Sequence, residues 1–145
     1  MRAVVQRVVG SSVSVDGRVT GRIEKGLNVL LGIGRGDTEA KAQALAEKIA
    51  HLRIFPDAAG KMQRSVLDER GKILVVPQFT LYGDASRGRR PDFTGAADRE
   101  TAAALCEAFA RHAEGMGVPV ERGVFGADMM VEISNWGPVT ILLEE

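Results

Sequence analysis

An α+β fold, built mainly from antiparallel β-sheets with two principal helices in a single compact domain, is the class this sequence predicts. Three observations lead there. Apolar, β-branched runs of strand length outnumber amphipathic helical segments. The two helical segments separate groups of strands instead of alternating with them one by one. A chain of 145 residues with 45% apolar content suits one domain, residues 1–145, with a substantial core.

Each element has its own local reason. Val4 to Val9 and Val13 to Val15 are β-branched runs, and Asp16-Gly17 supplies a type I′ hairpin signal before Val19 to Ile23, so the chain opens as a β-meander. Leu27 to Ile33 reads as a buried strand ending in Gly32-Ile33-Gly34-Arg35-Gly36. These glycines lack the GxGxxG spacing and the Lys-Ser/Thr of a phosphate loop, and they read as a strand-to-helix turn. Asp37 or Thr38 caps a helix in which Leu45, Ile49 and Leu52 form one apolar stripe. Ile54 and Phe55 end it, Pro56 to Lys61 has turn chemistry, and Gly71 introduces a strand at Ile73 to Val76. A second helix runs from about Asp98 to Ala113, with Ala102, Leu105, Phe109 and Ala113 on one face and Gly115 and Gly117 as its stop. Strand runs close the chain at Val118 to Glu121, Met129 to Ser134 and Val139 to Leu143. Gly137-Pro138 between the last two reads locally as a hairpin turn, or as a site where bare carbonyls meet a ligand.

Composition restricts function. Nineteen basic and nineteen acidic residues balance, which argues against a broad phosphate-gripping surface, so any nucleic-acid contact is local. The candidate is Arg87-Gly88-Arg89-Arg90-Pro91, open to the alternative of a solvated loop. No apolar run has the roughly 20 residues that span a bilayer, and no signal peptide is evident, so a cytoplasmic protein without membrane contact is expected. The single Cys106 agrees with a reducing compartment.

The usual catalytic inventory is sparse. His51 and His112 both fall in helices, Cys106 sits among small apolar residues as an inert thiol, and no Cys or His spacing suits zinc. What remains are backbone groups and hydroxyls. In Val75-Val76-Pro77-Gln78-Phe79-Thr80-Leu81 a proline and a glutamine interrupt an apolar strand. Either this is a plain strand edge, or the broken ladder frees the N–H groups of Phe79 and Thr80 for a ligand oxygen. Arg7 lies in a strand whose two faces both look buried. It is either a surface arginine on an edge or a guanidinium that requires carbonyl acceptors, such as those of a nearby turn.

Together these segments resemble the D-aminoacyl-tRNA deacylase (D-tyrosyl-tRNA deacylase) family along nearly the whole chain. The resemblance is carried by Arg2 to Val8, Leu52-Arg53-Ile54-Phe55, Gln78-Phe79-Thr80-Leu81, Arg87 to Pro91, Phe125-Gly126-Ala127-Asp128-Met129 and Asn135-Trp136-Gly137-Pro138-Val139-Thr140. It implies hydrolysis of the ester between a D-amino acid and the 3′-terminal adenosine of tRNA, with no cofactor and no metal. It also implies a homodimer whose interface active sites are each completed by a cis Gly137-Pro138 motif from the other subunit. By the same resemblance, the carbonyls of Gly137 and Pro138 hold the substrate α-amino group and reject an L side chain, and Arg7 orients the motif. Gln78, Phe79 and Thr80 surround the scissile carbonyl, while Phe125 and Met129 line the adenine pocket.

An aminoacyl ester is already activated, so positioning and oxyanion donors suffice without a strong base. Attack by water assisted by the RNA 2′-hydroxyl is therefore preferred over a nucleophilic Thr80, which has no histidine to activate it. One departure concerns Pro77, which replaces a serine common in the family and matches a sister branch that edits L-alanyl-tRNA. Phe79 and Gly137-Pro138-Val139-Thr140 follow the D-specific pattern. The alternatives are an editing deacylase for L-alanyl- or glycyl-tRNA and a non-catalytic module that binds the RNA 3′ end.

Overall fold

The computed structural model describes residues 1–145. The chain is organised around one six-stranded sheet formed by β1 (Arg2–Val15), β2 (Arg18–Ile23), β3 (Gly26–Gly32), β6 (Lys72–Pro77), β7 (Val120–Arg122) and β8 (Met130–Glu144). The order is β2-β1-β3-β6-β7, with β8 also paired to β1. A small hairpin, β4 (Phe55–Pro56) with β5 (Met62–Arg64), flanks the turn expected at Pro56 to Lys61.

Asp16 and Gly17 have φ of 49° and 76°, the left-handed pair that a type I′ turn requires, so the opening hairpin forms as its sequence dictates. The two helices do a different job from the one expected. β3 pairs β6 in parallel, and β6 pairs β7 in parallel, so α1 (Glu39–Ala50) and α2 (Arg99–Gly115) lie within crossovers instead of separating antiparallel hairpins. The sheet is therefore mixed. A parallel pair cannot be closed by a tight turn, and the connections that hold the helices are long enough to carry each strand back to its start. Both crossovers step in the same direction across the sheet, which places both helices on one face under the right-handed rule.

That face holds the main core. Leu45 and Ile49 of α1, Phe109 of α2, and Val5, Leu27, Val29 and Ile73 of the sheet are all 0% exposed. Thr38, not Asp37, caps α1 by accepting from the Lys41 amide at 3.4 Å, and Leu52 falls beyond the helix end. Asp37 is nonetheless structural: its carboxylate accepts from the Gly34 amide at 2.7 Å, the N-terminal ammonium at 2.8 Å and Lys41 Nζ at 3.1 Å. Asp98 caps α2 through the Thr101 amide at 2.9 Å. A second, smaller core is formed by Val8, Val13, Ile23, Leu74 and Val76.

The end of the chain corrects the hairpin reading. Met129 to Ser134 and Val139 to Leu143 are not two strands folded on each other; from Met130 onward both runs belong to the single strand β8, which runs antiparallel to β1. β1 is 14 residues long and offers a continuous ladder, so both runs find their partners there. Gln6 faces Thr140 and Val8 faces Asn135, which leaves Trp136 to Val139 opposite Arg7 alone. The Gly137-Pro138 motif is thus a bulge in a strand, a device that re-aims backbone out of the ladder.

Candidate active site

Two constellations emerge from this framework, and the fold builds them on different elements. The first is the bulge. Gly137-Pro138 is a cis peptide, and Gly137 has φ of 131°. The carbonyl of Trp136, displaced from the ladder, accepts from Arg7 Nε at 2.9 Å, while Arg7 Nη1 donates to Ile54 O at 2.7 Å. The guanidinium carbon lies 4.5 Å from the Trp136 ring centre, and Trp136 packs edge-on against Phe55. Of the two readings of Arg7, the buried one holds: it is 8% exposed, and burial lowers its pKa below the ordinary guanidinium value. Its acceptors are the turn carbonyls that such a burial requires.

The second constellation is a cleft of about 480 Å³ between the end of β6, the start of α2 and the segment leading into β8. Its wall includes Gln78 and Phe79 from one side and Phe125 and Met129 from the other. The volume falls in the range usual for small-ligand sites. The ladder continues one residue past Pro77, since the Gln78 amide donates to Leu31 O at 2.8 Å, and breaks there. A 3₁₀ turn, Phe79–Tyr82, follows. The first amides of such a turn have no acceptor within it, and those of Phe79 and Thr80 take none elsewhere in the molecule. Thr80 is exposed at the rim of the cleft, and its hydroxyl accepts from the Gln78 side-chain amide. Phe79 is 58% exposed and meets Phe93 edge-on at 5.1 Å.

The cleft thus gathers Gln78, Phe79, Phe125 and Met129, with Thr80 beside them. It does not include Arg7, Gly137 or Pro138 of the same chain. Cys106 lies in its wall, but burial pushes the thiol up to about 12, so it remains protonated and unreactive. Neither His51 nor His112 reaches it. Sequence reasoning missed Arg99, which lines the cleft from the first turn of α2. The signal was available: a cation in a first helical turn opposes the helix dipole and so invites another explanation. Its guanidinium lies over Gly126, where an added Cβ would stand 2.7 Å from Nη2, and Gly126 has φ of 76°. The positive φ favours glycine here, and an added Cβ would push the guanidinium away from the turn.

A cleft that offers unpaired backbone amides and a hydroxyl, with Asp128 as its one carboxylate and no histidine, suits an ester or acyl group already activated for attack; this is the class of acyl-ester hydrolases that work by positioning. Comparison with known proteins narrows the class. The family described as D-Tyr-tRNA(Tyr) deacylase matches residues 4–144, and the chain belongs to that family. It is 59% identical to a D-aminoacyl-tRNA deacylase of Roseiflexus castenholzii over 144 residues, 99% of this chain and 92% of that protein. It is 56% identical to one of Fervidobacterium nodosum, covering 99% and 97%, and 54% identical to one of Aquifex aeolicus with the same coverage. Among solved structures, the c-Myc DNA Unwinding Element Binding Protein superposes with a TM-score of 0.94 at 42% identity, covering 100% of this chain and 99% of that one. A probable eukaryotic D-amino acid tRNA deacylase superposes at 0.82 with 19% identity, covering 98% and 97%, and shares the fold.

Proposed function

We propose that the chain works as a D-aminoacyl-tRNA deacylase, hydrolysing the ester that joins a D-amino acid to the 3′-terminal adenosine of tRNA, and that it does so as a homodimer. The observation that carries the mechanism is the pair of free amides at Phe79 and Thr80 on the rim of a cleft with no histidine. In this reading the terminal adenosine lies along Phe125 and Met129, and the scissile carbonyl points its oxygen at the two amides. These donors stabilise the oxyanion that forms as water attacks. The 2′-hydroxyl of the terminal ribose assists the water, and Gln78 orients Thr80 as a binding group.

Stereochemistry belongs to the bulge. Gly137 and Pro138 lie outside the cleft of their own chain, so the motif completes the partner's cleft. There its carbonyls hold the α-amino group and its backbone occupies the space that an L side chain would need. Recognition that reads only the α-carbon tolerates many D side chains and does not reject glycine, which presents no side chain to collide. Pro77 sits at the cleft wall without a hydroxyl or N–H, so discrimination falls on the bulge and on Phe79.

Deacylation of D-tyrosyl-, glycyl- and L-alanyl-tRNA side by side tests the proposal. Rapid hydrolysis of the first two with L-alanyl-tRNA spared is expected. Preference for L-alanyl-tRNA would make the chain an editing enzyme for that substrate, and binding without turnover would make it an RNA 3′-end module.

A further inference from the structure

A polar basin of about 740 Å³, one residue along the chain from the cleft wall at Ala96, is lined by Arg2, Tyr82, Arg87, Arg90, Asp84 and Asp92. We infer that this basin is a subsite for phosphodiester groups of the single-stranded 3′ end that leads into the cleft; the inference rests on the deacylase reading. Four observations carry it.

The basin begins where the catalytic turn ends. Gly83 lines it, and the Gly83 amide donates to Thr80 O at 2.9 Å. The loop that carries the arginines is held to the same place. Asp84 and Asp92 pair through two backbone hydrogen bonds of 2.8 Å, and Phe93 packs against Phe79. A strand whose terminal nucleoside fills the cleft therefore passes this loop.

The basin's lining carries three guanidinium groups, of Arg2, Arg87 and Arg90, against two carboxylates, of Asp84 and Asp92. Arg87 and Arg90 line the basin and, like most arginines of the chain, hold no acceptor within it, so their donors are open to a ligand. The carboxylates of Asp84 and Asp92 also face this region, but they accept from the Ser86 amide at 2.8 Å and the Thr94 amide at 2.6 Å. Those carboxylates serve to shape the loop. Arg87 and Arg90 bring two like charges to one basin, which an anion between them relieves, and planar guanidinium forks match phosphate oxygens.

Arg2 supplies a fixed cation on the floor. Its Nε donates to Glu144 at 3.1 Å, its Nη1 donates to Leu81 O at 3.1 Å, and its guanidinium carbon lies 4.6 Å from the Tyr82 ring centre. In a chain whose total charge balances at nineteen of each sign, three arginines converge on this one basin, and Arg87 and Arg90 are the two without an ion-pair partner.

The test compares two substrates, D-tyrosyl-tRNA and D-tyrosyl-adenosine, which carries the ester but no phosphate. Arg87→Ala with Arg90→Ala is expected to raise KM for the tRNA about tenfold at low salt and to leave kcat unchanged. The slope of log KM against log salt should fall by about 1.4, or about 0.7 for each single-strand phosphate left without its arginine. Turnover of D-tyrosyl-adenosine should not change, and Arg87→Lys with Arg90→Lys should keep most of the salt slope. An unchanged KM and salt slope for the tRNA would overturn the subsite while leaving the deacylase reading intact. Equal loss on both substrates would also overturn it, because the arginines would then support the cleft itself. Failure of the unaltered protein to hydrolyse either substrate would sink the deacylase reading and the subsite with it.

Discussion

Gly137 is where backbone geometry is least negotiable. At φ of 131°, an added Cβ would stand 2.9 Å from Val139 Cγ2 and 3.0 Å from Arg7 Nη2. Gly137→Ala therefore combines a backbone conformation unfavourable to L-residues with displacement of the guanidinium that holds the bulge. A stability loss of about 1 to 3 kcal/mol is expected in chemical denaturation. Activity on D-tyrosyl-tRNA should fall about 100-fold, since small misplacements of positioning groups have effects of that size. An alanine variant with full activity would show that the bulge does not need its present shape. Thr80 poses the opposite case. Its hydroxyl is engaged by Gln78 and no histidine lines the cleft, so Thr80→Ala should lower kcat less than about tenfold, whereas removing the substrate 2′-hydroxyl should cost about 100-fold or more, the usual scale of general acid-base assistance. Abolished turnover in Thr80→Ala with unchanged affinity would restore the threonine as nucleophile. Arg7 is legible as an anomaly from its position in an apolar strand, and the structure identifies the acceptors. Arg99 is legible only as an ill-placed cation in a first helical turn, because the loop that its helix start meets lies far along the chain.

Among the elements, local signals are clear wherever a residue controls its own backbone. Asp16-Gly17, a cap at Asp37 or Thr38, the start of the second helix near Asp98 and the stripe of Leu45 and Ile49 all follow from sequence. What is not legible depends on partners far along the chain. Nothing near Gly137 reveals that β1 is long enough to accept β8 on both sides of the bulge, and nothing near Ile73 says whether β6 will lie parallel to β3. Asp37 shows how such distant contacts add stability. Burial favours its neutral form, but hydrogen bonds from the N-terminal ammonium, the Gly34 amide and Lys41 outweigh that effect and hold its pKa below the ordinary carboxylate value. Tyr82, buried beside this charge, is pushed up to about 12. A carboxyl with a lower pKa in the folded state adds stability that is complete above its unfolded value of about 3.9 and disappears as pH falls through the folded value. Asp37→Asn should therefore cost about 3 kcal/mol at pH 7. Its stability should also decline less steeply than that of the unaltered protein below about pH 5. Denaturation curves at several pH values check this, and parallel declines would show that Asp37 does not contribute through its charge.

At the scale of the whole molecule, the unfinished feature is β8. One edge of this 15-residue strand pairs with β1 and the other is open, with Met130 and Leu142 70% and 77% exposed. A long open edge with apolar side chains is a surface that folded proteins normally cover, and a second copy of the chain covers it in the proposed dimer. The same strand carries Gly137-Pro138, which its own cleft does not use, so covering the edge and completing the site become one event. This can be tested with two inactive variants. Gly137→Ala spoils the bulge and leaves the cleft intact. Phe79→Pro removes one oxyanion donor while keeping the turn, because proline is accepted at a first helical position. In a heterodimer of the two, one site combines the intact cleft of the first chain with the intact bulge of the second, and the other site has both defects. Random reassortment makes about half of the dimers mixed, each with one good site of two, so an equal mixture should regain about a quarter of full activity. The readout is deacylation of D-tyrosyl-tRNA after the two proteins have been unfolded and refolded together. If the bulge served the cleft of its own chain, each protomer would carry one defect in the only site it builds, and no activity would return.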